Sequence, residues 1–332
     1  MRALILEHAR PVEENPLREA DLPIPTPGPG EVRVKVRACG LCHTDLHTVE
    51  GDLAAHKSPV VPGHQAVGVI DALGLGVTAH KEGDRVGVPW LHSTDGTCEF
   101  CRGGLENLCP NARFTGYDAD GGYAEYAVAL ADFCFPIPAI FSDESAAPLL
   151  CAGIIGYRSY RLTDIRPGEN LGLNGFGASA HLVIQLARHQ KCNVFVFTRN
   201  ETHRTLAREL GAVWTGRAED TPPEPLHGAI IFAPAGSLVP QALHVLRKAG
   251  RLVLAGITMS QIPALDYSLL YHEKVVRSVA NSTRQDAREL LALAGEVPLK
   301  TEVQTFDLGQ ANRALQALKN SEIRGAGVLR VS

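Results

Sequence analysis

No stretch of this chain approaches the roughly 20 consecutive apolar residues that a membrane-spanning helix requires. Its opening, Met1 to His8, carries an apolar run far too short for a signal peptide. These two absences point away from membrane and secreted proteins and toward a reducing, cytoplasmic compartment. A basic excess is missing too: 32 Lys and Arg stand against 36 Asp and Glu, a formal charge of −4. A protein that grips nucleic acid through its phosphates carries the opposite balance, so nucleic acid is not an expected partner. There is no internal repeat, no low-complexity segment, no basic run and no acidic tail.

What is present is a chain of 332 residues, 45% hydrophobic and 20% charged, the balance of a soluble globular protein long enough for two domains. Its eight cysteines are the most informative residues. In a reducing compartment grouped cysteines favour metal over disulfides, with a disulfide or reactive pair at Cys39 and Cys42 as the alternative. Asp95, Cys98, Cys101 and Cys109 follow one another at the short spacing of a tetrahedral zinc lobe. Cys42, His64 and Cys151 are scattered along the chain. Taken singly, His64 reads as a packed histidine and Cys151 as a buried thiol. Together, a closed four-ligand set and a dispersed three-ligand set form the pattern of structural and catalytic zinc in one protein. Cys134 and Cys192, in apolar surroundings, read as core residues.

The first 150 or so residues read as β-rich. Residues 31–37 alternate apolar and polar side chains, as a half-buried strand does, after a Pro- and Gly-rich loop over 23–30. Further strands are expected at 67–70, 84–88 and 121–128. The character then changes. Short apolar strands at 169–174, 193–198, 229–233, 251–255 and 275–279 alternate with helical segments at 178–188, 201–210 and 240–248. That interval predicts a parallel, doubly wound sheet of about six strands. The tail from 286 predicts one helix at 309–319 and a closing strand near 327–331.

Between the strand at 169–174 and the helix after it lies Asn174-Gly175-Phe176-Gly177-Ala178-Ser179-Ala180. A G-x-G-x-x-A run is weak alone, but in a strand–turn–helix setting it predicts a dinucleotide site. Gly175 permits the tight turn, and Gly177 lets backbone N–H groups approach a pyrophosphate at the helix N-terminus. The end of the next strand selects the nucleotide. It reads Thr198-Arg199-Asn200, with no carboxylate to repel a 2′-phosphate and with Arg199 able to pair with one. NADP(H) is therefore expected over NAD(H). The alternative is that Arg199 only covers the adenine face.

Four motifs occur in one order: Gly40-Leu-Cys42-His43-Thr44-Asp45-Leu-His47, Gly63-His64-Gln65-Ala-Val-Gly68-Val, Leu149-Leu-Cys151-Ala-Gly153, and the glycine-rich turn. In them the chain resembles, essentially end to end, the zinc-dependent alcohol dehydrogenases of the medium-chain dehydrogenase/reductase family. Its nearest likeness is to the bacterial, cinnamyl-alcohol-dehydrogenase-like branch. The resemblance implies an α/β fold: a Rossmann doubly wound parallel sheet plus a β-rich, GroES-like catalytic domain. The expected boundaries are 1–152 for the catalytic domain, 153–286 for the dinucleotide domain and 287–332 for the return, with substrate and nicotinamide in the cleft between domains. The implied activity is reversible hydride transfer between a primary aliphatic or aromatic alcohol, or its aldehyde, and NAD(P)(H).

Residue by residue, the resemblance implies Cys42, His64 and Cys151 as catalytic zinc ligands, with the fourth position open to water or substrate. Two thiolates and an imidazole leave zinc a Lewis acid able to lower an alcohol's pKa. Thr44 resembles the hydroxyl that bonds the bound alcohol, and His47 the far end of a proton relay. Asp45 resembles a carboxylate that orients His64, or else it caps a helix. His43 and Arg324 resemble residues that touch the cofactor pyrophosphate.

Two positions depart from the family pattern. Gln65 stands where a Glu usually follows the ligand histidine. Asp95 stands where the structural lobe usually has its first cysteine; since a carboxylate can bind zinc, Asp95, Cys98, Cys101 and Cys109 are expected to hold a second ion, with a metal-free lobe as the alternative. Thr44, Val49, Leu53 and Trp90 are expected to line a pocket roomy enough for larger alcohols. A polyol or sugar dehydrogenase is the rival within the family, and a non-catalytic dinucleotide-binding protein the rival outside it. A homodimer or homotetramer is implied, joined near residues 257–267.

Overall fold

The alternation at 31–37 continues through Ala38 and Cys39 into a strand, Glu31–Gly40, whose Val32, Val34 and Val36 have 0% exposure. It pairs antiparallel with Ala66–Leu73, Tyr126–Leu130 and Ala326–Arg330. Arg85–Val88 and Phe135–Pro136 extend the sheet on one side, and Val303–Asp307 on the other. The inward row packs on Ile70, Val86, Leu315 and Leu329. Fully burying one such side chain contributes about 1.5–3 kcal/mol, so a one-residue slip that exposed the row is strongly disfavoured.

In this computed structural model, which describes residues 1–297 and 299–332, the chain divides into two units. The first is Met1–Cys151 with Thr283–Ser332, and the second is Ala152–Ser282. The return therefore begins at Thr283 rather than 287. The reason is local: Thr283 and Asp286 form a reciprocal capping box that starts the helix Arg284–Glu296. Arg284 Nε and Nη2 then both donate to Glu106 Oε2, at 2.9 and 2.7 Å, an ion pair that fastens that helix to the cysteine-bearing segment of its own unit.

The second unit is a six-stranded parallel sheet in the spatial order Trp214–Gly216, Asn193–Phe197, Asn170–Asn174, Leu226–Ile231, Leu246–Leu254, Val275–Ser278. Ala178–His189 covers Leu171, Leu173 and Val194, while Leu238–Val245 packs with Phe195, Phe197 and Ile231.

Three expectations need correction. Residues 121–125 are not strand: Gly121, Gly122 and Tyr123 donate their N–H groups to the carbonyls of Val61, Gly63 and Pro62, and the strand starts only at Tyr126. The tail carries two helices, since Arg284–Glu296 precedes Ala311–Lys319. The sheet reaches six strands through Trp214–Gly216, a segment too short to show a period. No described helix is long and apolar enough to cross a membrane.

Candidate metal centres and dinucleotide turn

Cys42 is the N-cap of the helix His43–Glu50, and its backbone N–H donates to Asp45 Oδ2 at 2.9 Å. Oδ1 of the same carboxylate accepts the Nδ1–H of His64, also at 2.9 Å. The two alternatives for Asp45, a helix cap and an orienting carboxylate, are thus one group acting twice. Both side chains are buried, His64 completely. With Nδ1 engaged, His64 Nε2 is left buried without a hydrogen-bond partner, an arrangement that calls for an explanation.

The explanation lies beside it. Cys42 Sγ and Cys151 Sγ are 3.7 Å apart although 109 residues separate them in sequence. These sulfurs and a ring nitrogen of His64 all lie within 4.8 Å of one another. A tetrahedral zinc ion with bonds of about 2.0–2.3 Å spaces its ligands about 3.3–3.8 Å apart, so the donor set and its orphaned nitrogen fit one. Proton affinities run the same way. The Cys42 thiol is pulled well down, first by the hydrogen bond from Cys151 and then by His64, while Cys151 is pushed well up by that same bond. Burial pulls His64 down, but the Asp45 carboxylate and the Cys42 sulfur outweigh it and raise the imidazole to about 10. The site thus already favours a Cys42 thiolate, and a bound divalent cation would displace the protons of His64 and Cys151.

Trp90 meets the His64 ring edge-on at 4.8 Å and stacks on Phe114 at 4.9 Å, giving the centre one apolar wall. Val49 is no part of it: it is wholly buried in the core of the first unit, because it lies on the helix face packed inward. Leu53 is half-buried. The Thr44 hydroxyl, itself buried, lies 3.6 Å from Cys42 Sγ. His47, one turn along the helix, donates Nδ1–H to Asp52 Oδ2 at 2.8 Å. Asp52 was not singled out from sequence; the only hint is its place after Gly51, whose φ of 85° closes the helix and turns the chain back. His43 is exposed on the first turn of the helix, and exposed Arg324 stands 3.9 Å from Glu302.

The second cluster forms on a tight loop. The donor atoms of Asp95, Cys98, Cys101 and Cys109 again lie within 4.8 Å of one another. Asp95 Oδ1 accepts from the N–H groups of Thr97 and Cys98 at 2.8 and 2.9 Å, and Oδ2 from the Asn111 amide at 2.9 Å. These bonds, that from Cys98 foremost, hold the carboxyl well below the usual range. Cys101 is pushed up to about 11, chiefly by desolvation. Backbone N–H groups of Asp95 and Cys101 point at the sulfurs of Cys109 and Cys98, each at 3.5 Å. Four convergent donors, one of them an oriented anion, fit a closed tetrahedral site.

In the second unit, Gly175 has a φ of 87°, and a Cβ there would come 3.1 Å from the Ala233 nitrogen, so glycine is required. Gly177 is the exposed N-cap of Ala178–His189, with nothing within 4 Å of where a Cβ would stand. Ala178 and Ser179, half-buried, supply the first helical N–H groups. Phe176 points away, 2% exposed in the core, so only its backbone is available to a ligand. Thr198 is buried and its N–H is spent on the Gly216 carbonyl. Asn200 caps the next helix by accepting from Thr202 and His203, and Arg199 is exposed. Cys134 and Cys192 are buried, and all eight cysteines are free thiols.

A parallel sheet whose strands run 3-2-1-4-5-6 in chain order, with a glycine turn after the first, defines a dinucleotide-binding class. A Cys–His–Cys set around a buried histidine in the other unit adds metal-assisted oxidoreduction. Residues 28–139 match the alcohol dehydrogenase GroES-like domain and residues 180–296 the zinc-binding dehydrogenase family. The chain is 46% identical to a probable alcohol dehydrogenase, AdhA, of Mycobacterium tuberculosis, over 99% of its own length and 97% of the relative's. Among solved structures it is similar to a cinnamyl alcohol dehydrogenase of Sorghum bicolor, with 29% identity, coverage of 99% and 97%, and a TM-score of 0.88. It is also similar to a cobalt- and zinc-bound thermostable alcohol dehydrogenase of Pyrobaculum aerophilum, with 26% identity, coverage of 100% and 99%, and a TM-score of 0.90. The chain belongs to the zinc-dependent alcohol dehydrogenases of the medium-chain dehydrogenase/reductase family, oxidoreductases that interconvert alcohols and aldehydes. Zinc and a nicotinamide dinucleotide are the cofactors of that class.

Proposed function

We propose that this enzyme transfers hydride reversibly between a primary aliphatic or aromatic alcohol, or its aldehyde, and NAD(P)(H), with NADP(H) favoured. The observation that carries the reading is the buried, partnerless His64 Nε2 beside two sulfurs 3.7 Å apart. Cys42, His64 and Cys151 would hold the catalytic zinc, which supplies Lewis-acid polarisation of the substrate oxygen and eases loss of an alcohol proton. Asp45 fixes His64 in the tautomer whose Nε2 is the donor. The Thr44 hydroxyl, next to Cys42 Sγ, orients the substrate oxygen and accepts its proton while giving up its own to the relay. His47 passes that proton toward solvent, with Asp52 holding its Nδ1 protonated and Nε2 basic. The stacked Trp90 and Phe114 favour an apolar substrate over a polyol.

Asp95, Cys98, Cys101 and Cys109 would hold a second, structural zinc. Gly175, Gly177, Ala178 and Ser179 present the pyrophosphate-binding turn, Arg199 faces the 2′-phosphate, and His43 and Arg324 act as phosphate-facing cations on the strength of the resemblance. Assembly as a homodimer or homotetramer is supported by the exposed edge strand Val275–Ser278 and by exposed Ile257, Ile262, Tyr267 and Tyr271. Eight unpaired thiols support a reducing, cytoplasmic setting.

The direct test is steady-state oxidation of 1-butanol and benzyl alcohol, followed at the reduced-nicotinamide band. Both should turn over, with kcat/KM for NADP+ at least about tenfold above that for NAD+. No alcohol-dependent change would leave a non-catalytic dinucleotide binder; a preference for NAD+ would overturn the nucleotide assignment alone.

Asp52 gives a separate test. In Asp52→Asn the amide can donate as well as accept, so the tautomer of His47 is no longer fixed. We expect kcat for alcohol oxidation to fall about threefold to tenfold with KM within about twofold, a part of the 10²–10⁴ range that positioned acid–base groups supply. A rise in KM alone would mean that Asp52 shapes binding instead.

A further inference from the structure

Two arginines lie just past the ends of neighbouring parallel strands, Arg217 one residue and Arg199 two residues beyond the last pair, Phe197 and Gly216. Phe197 and Gly216 are the last paired residues of the second and third strands in chain order. The Thr198 N–H donates to the Gly216 carbonyl at 2.8 Å, so the pairing runs one residue past the end of the second strand. Arg199 follows on one strand and Arg217 on the other, both exposed. Among the described residues neither guanidinium has an ion pair or hydrogen-bond partner. Neighbouring strands lie about 4.8 Å apart, a separation two arginine side chains can close around one anion.

The acidic groups at this corner are mostly occupied. Glu201 accepts from Arg204 at 2.6 Å and from Arg208 at 3.1 Å. Asp220 Oδ2 accepts the backbone N–H of Arg217 at 2.7 Å and closes the turn that follows the strand. Among the described residues, Glu219, exposed within that turn, has no such bond. The Asn200 side-chain oxygen is committed to its helix cap, while its amide N–H groups stay free to donate to an incoming anion beside the two arginines.

We propose that Arg217 is a specificity-determining residue, the second cation of a two-arginine clamp in which Arg199 and Arg217 together grip the 2′-phosphate of the adenine ribose. This rests on the reading that Gly175–Ala180 takes a dinucleotide. In a doubly wound sheet the adenine ribose lies at the end of the second strand, and here the third strand is its outer neighbour. A phosphomonoester carries about −1.5 to −2 charge and three acceptor oxygens, enough for two guanidinium forks. The 2′-hydroxyl of NAD(H) offers neither. Arg217 would therefore act on NADP(H) and leave NAD(H) almost untouched.

Binding of NADPH and NADH, read by reduced-nicotinamide fluorescence, tests this in the wild type, Arg199→Ala, Arg217→Ala, Arg217→Lys and the double alanine variant. Displacement by 2′,5′-ADP and by 5′-AMP isolates the phosphate. In Arg217→Ala the affinity for NADPH and 2′,5′-ADP should fall about tenfold, with NADH and 5′-AMP within about twofold. Arg217→Lys should recover part of the loss, and the double variant should bind NADPH no better than NADH. If Arg199→Ala weakens NADPH while Arg217→Ala does not, Arg217 has no part in the clamp and the proposal falls, although the NADP(H) reading stands. If the wild type binds NADPH and NADH alike, that reading falls and the proposal with it. Equal loss of both nucleotides in Arg217→Ala would make the arginine a support of the fold, and also overturns the clamp.

Discussion

His64→Ala should lower kcat/KM for alcohol oxidation by at least about a thousandfold and reduce bound zinc from about two ions per chain to one. Lewis-acid stabilisation supplies several kcal/mol, and each 1.4 kcal/mol or so is a factor of ten, which sets the lower bound. The loss follows from geometry: His64 contributes the one nitrogen of the set, and two sulfurs 3.7 Å apart cannot complete a site alone. Asp45→Asn separates ligation from orientation. It keeps all three donors but weakens the carboxylate bonds to His64 Nδ1 and to the Cys42 N–H, both 2.9 Å. A loss of about 10- to 100-fold in metal affinity or activity is expected there. Zinc content by mass spectrometry and a circular-dichroism melt of each variant distinguish metal loss from unfolding. A folded His64→Ala protein with full zinc and full activity would refute the three-ligand centre. A wild type with one zinc, falling to none in His64→Ala, would instead refute the lobe built on Asp95.

Legibility from the sequence followed the range of the interaction. The strands Asn170–Asn174 and Asn193–Phe197 and the helix Ala178–His189 are stated by local pattern, because a parallel strand buried on both faces is a short apolar run. Trp214–Gly216 is three residues long, and no period fits in it. The residues at 121–125 have the composition of a strand, but the N–H groups of 121–123 go to loop carbonyls at 61–63, and 124 makes only an isolated bridge to Ala3, which sequence alone does not reveal. The ligand types were legible in their motifs, while the convergence of Cys42 on Cys151 is a property of the fold. The pair Arg284–Glu106 spans 178 residues and left no local trace. Asp52 was missed for a different reason: its contact with His47 exists only because Gly51 reverses the chain. Asn200 carries a second role that its place beside Arg199 did not announce: its side-chain oxygen caps a helix.

Gly63→Ala should be a severely damaging single-methyl change in the first unit. Gly63 holds a φ of 97°, and a Cβ there would lie 2.4 Å from Tyr123 Cδ1 and 2.9 Å from Cys39 Sγ. Both neighbours have 0% exposure and cannot swing out. The backbone is equally confined, because a Cβ on Gly121 would stand 2.0 Å from the Gly63 carbonyl and one on Gly116 would stand 2.8 Å from its nitrogen. Left-handed strain of about 1–2 kcal/mol and overpacking of about 1–3 kcal/mol together predict a loss of roughly 3 kcal/mol or more. For a unit of this size that lowers Tm by on the order of 10 °C. Gly83→Ala is the matched control: its φ is 89°, yet nothing lies within 4 Å of the added Cβ, so it carries the strain without the collision. We expect about 1–2 kcal/mol there, and full zinc. Because His64 is the next residue, relief of the Gly63→Ala overlap must move a metal ligand, and zinc should be lost to a chelator faster than from the wild type. Equal melting shifts in the two variants would show that the Tyr123 and Cys39 packing is soft, and that the glycine before the ligand is there for its dihedral angle alone.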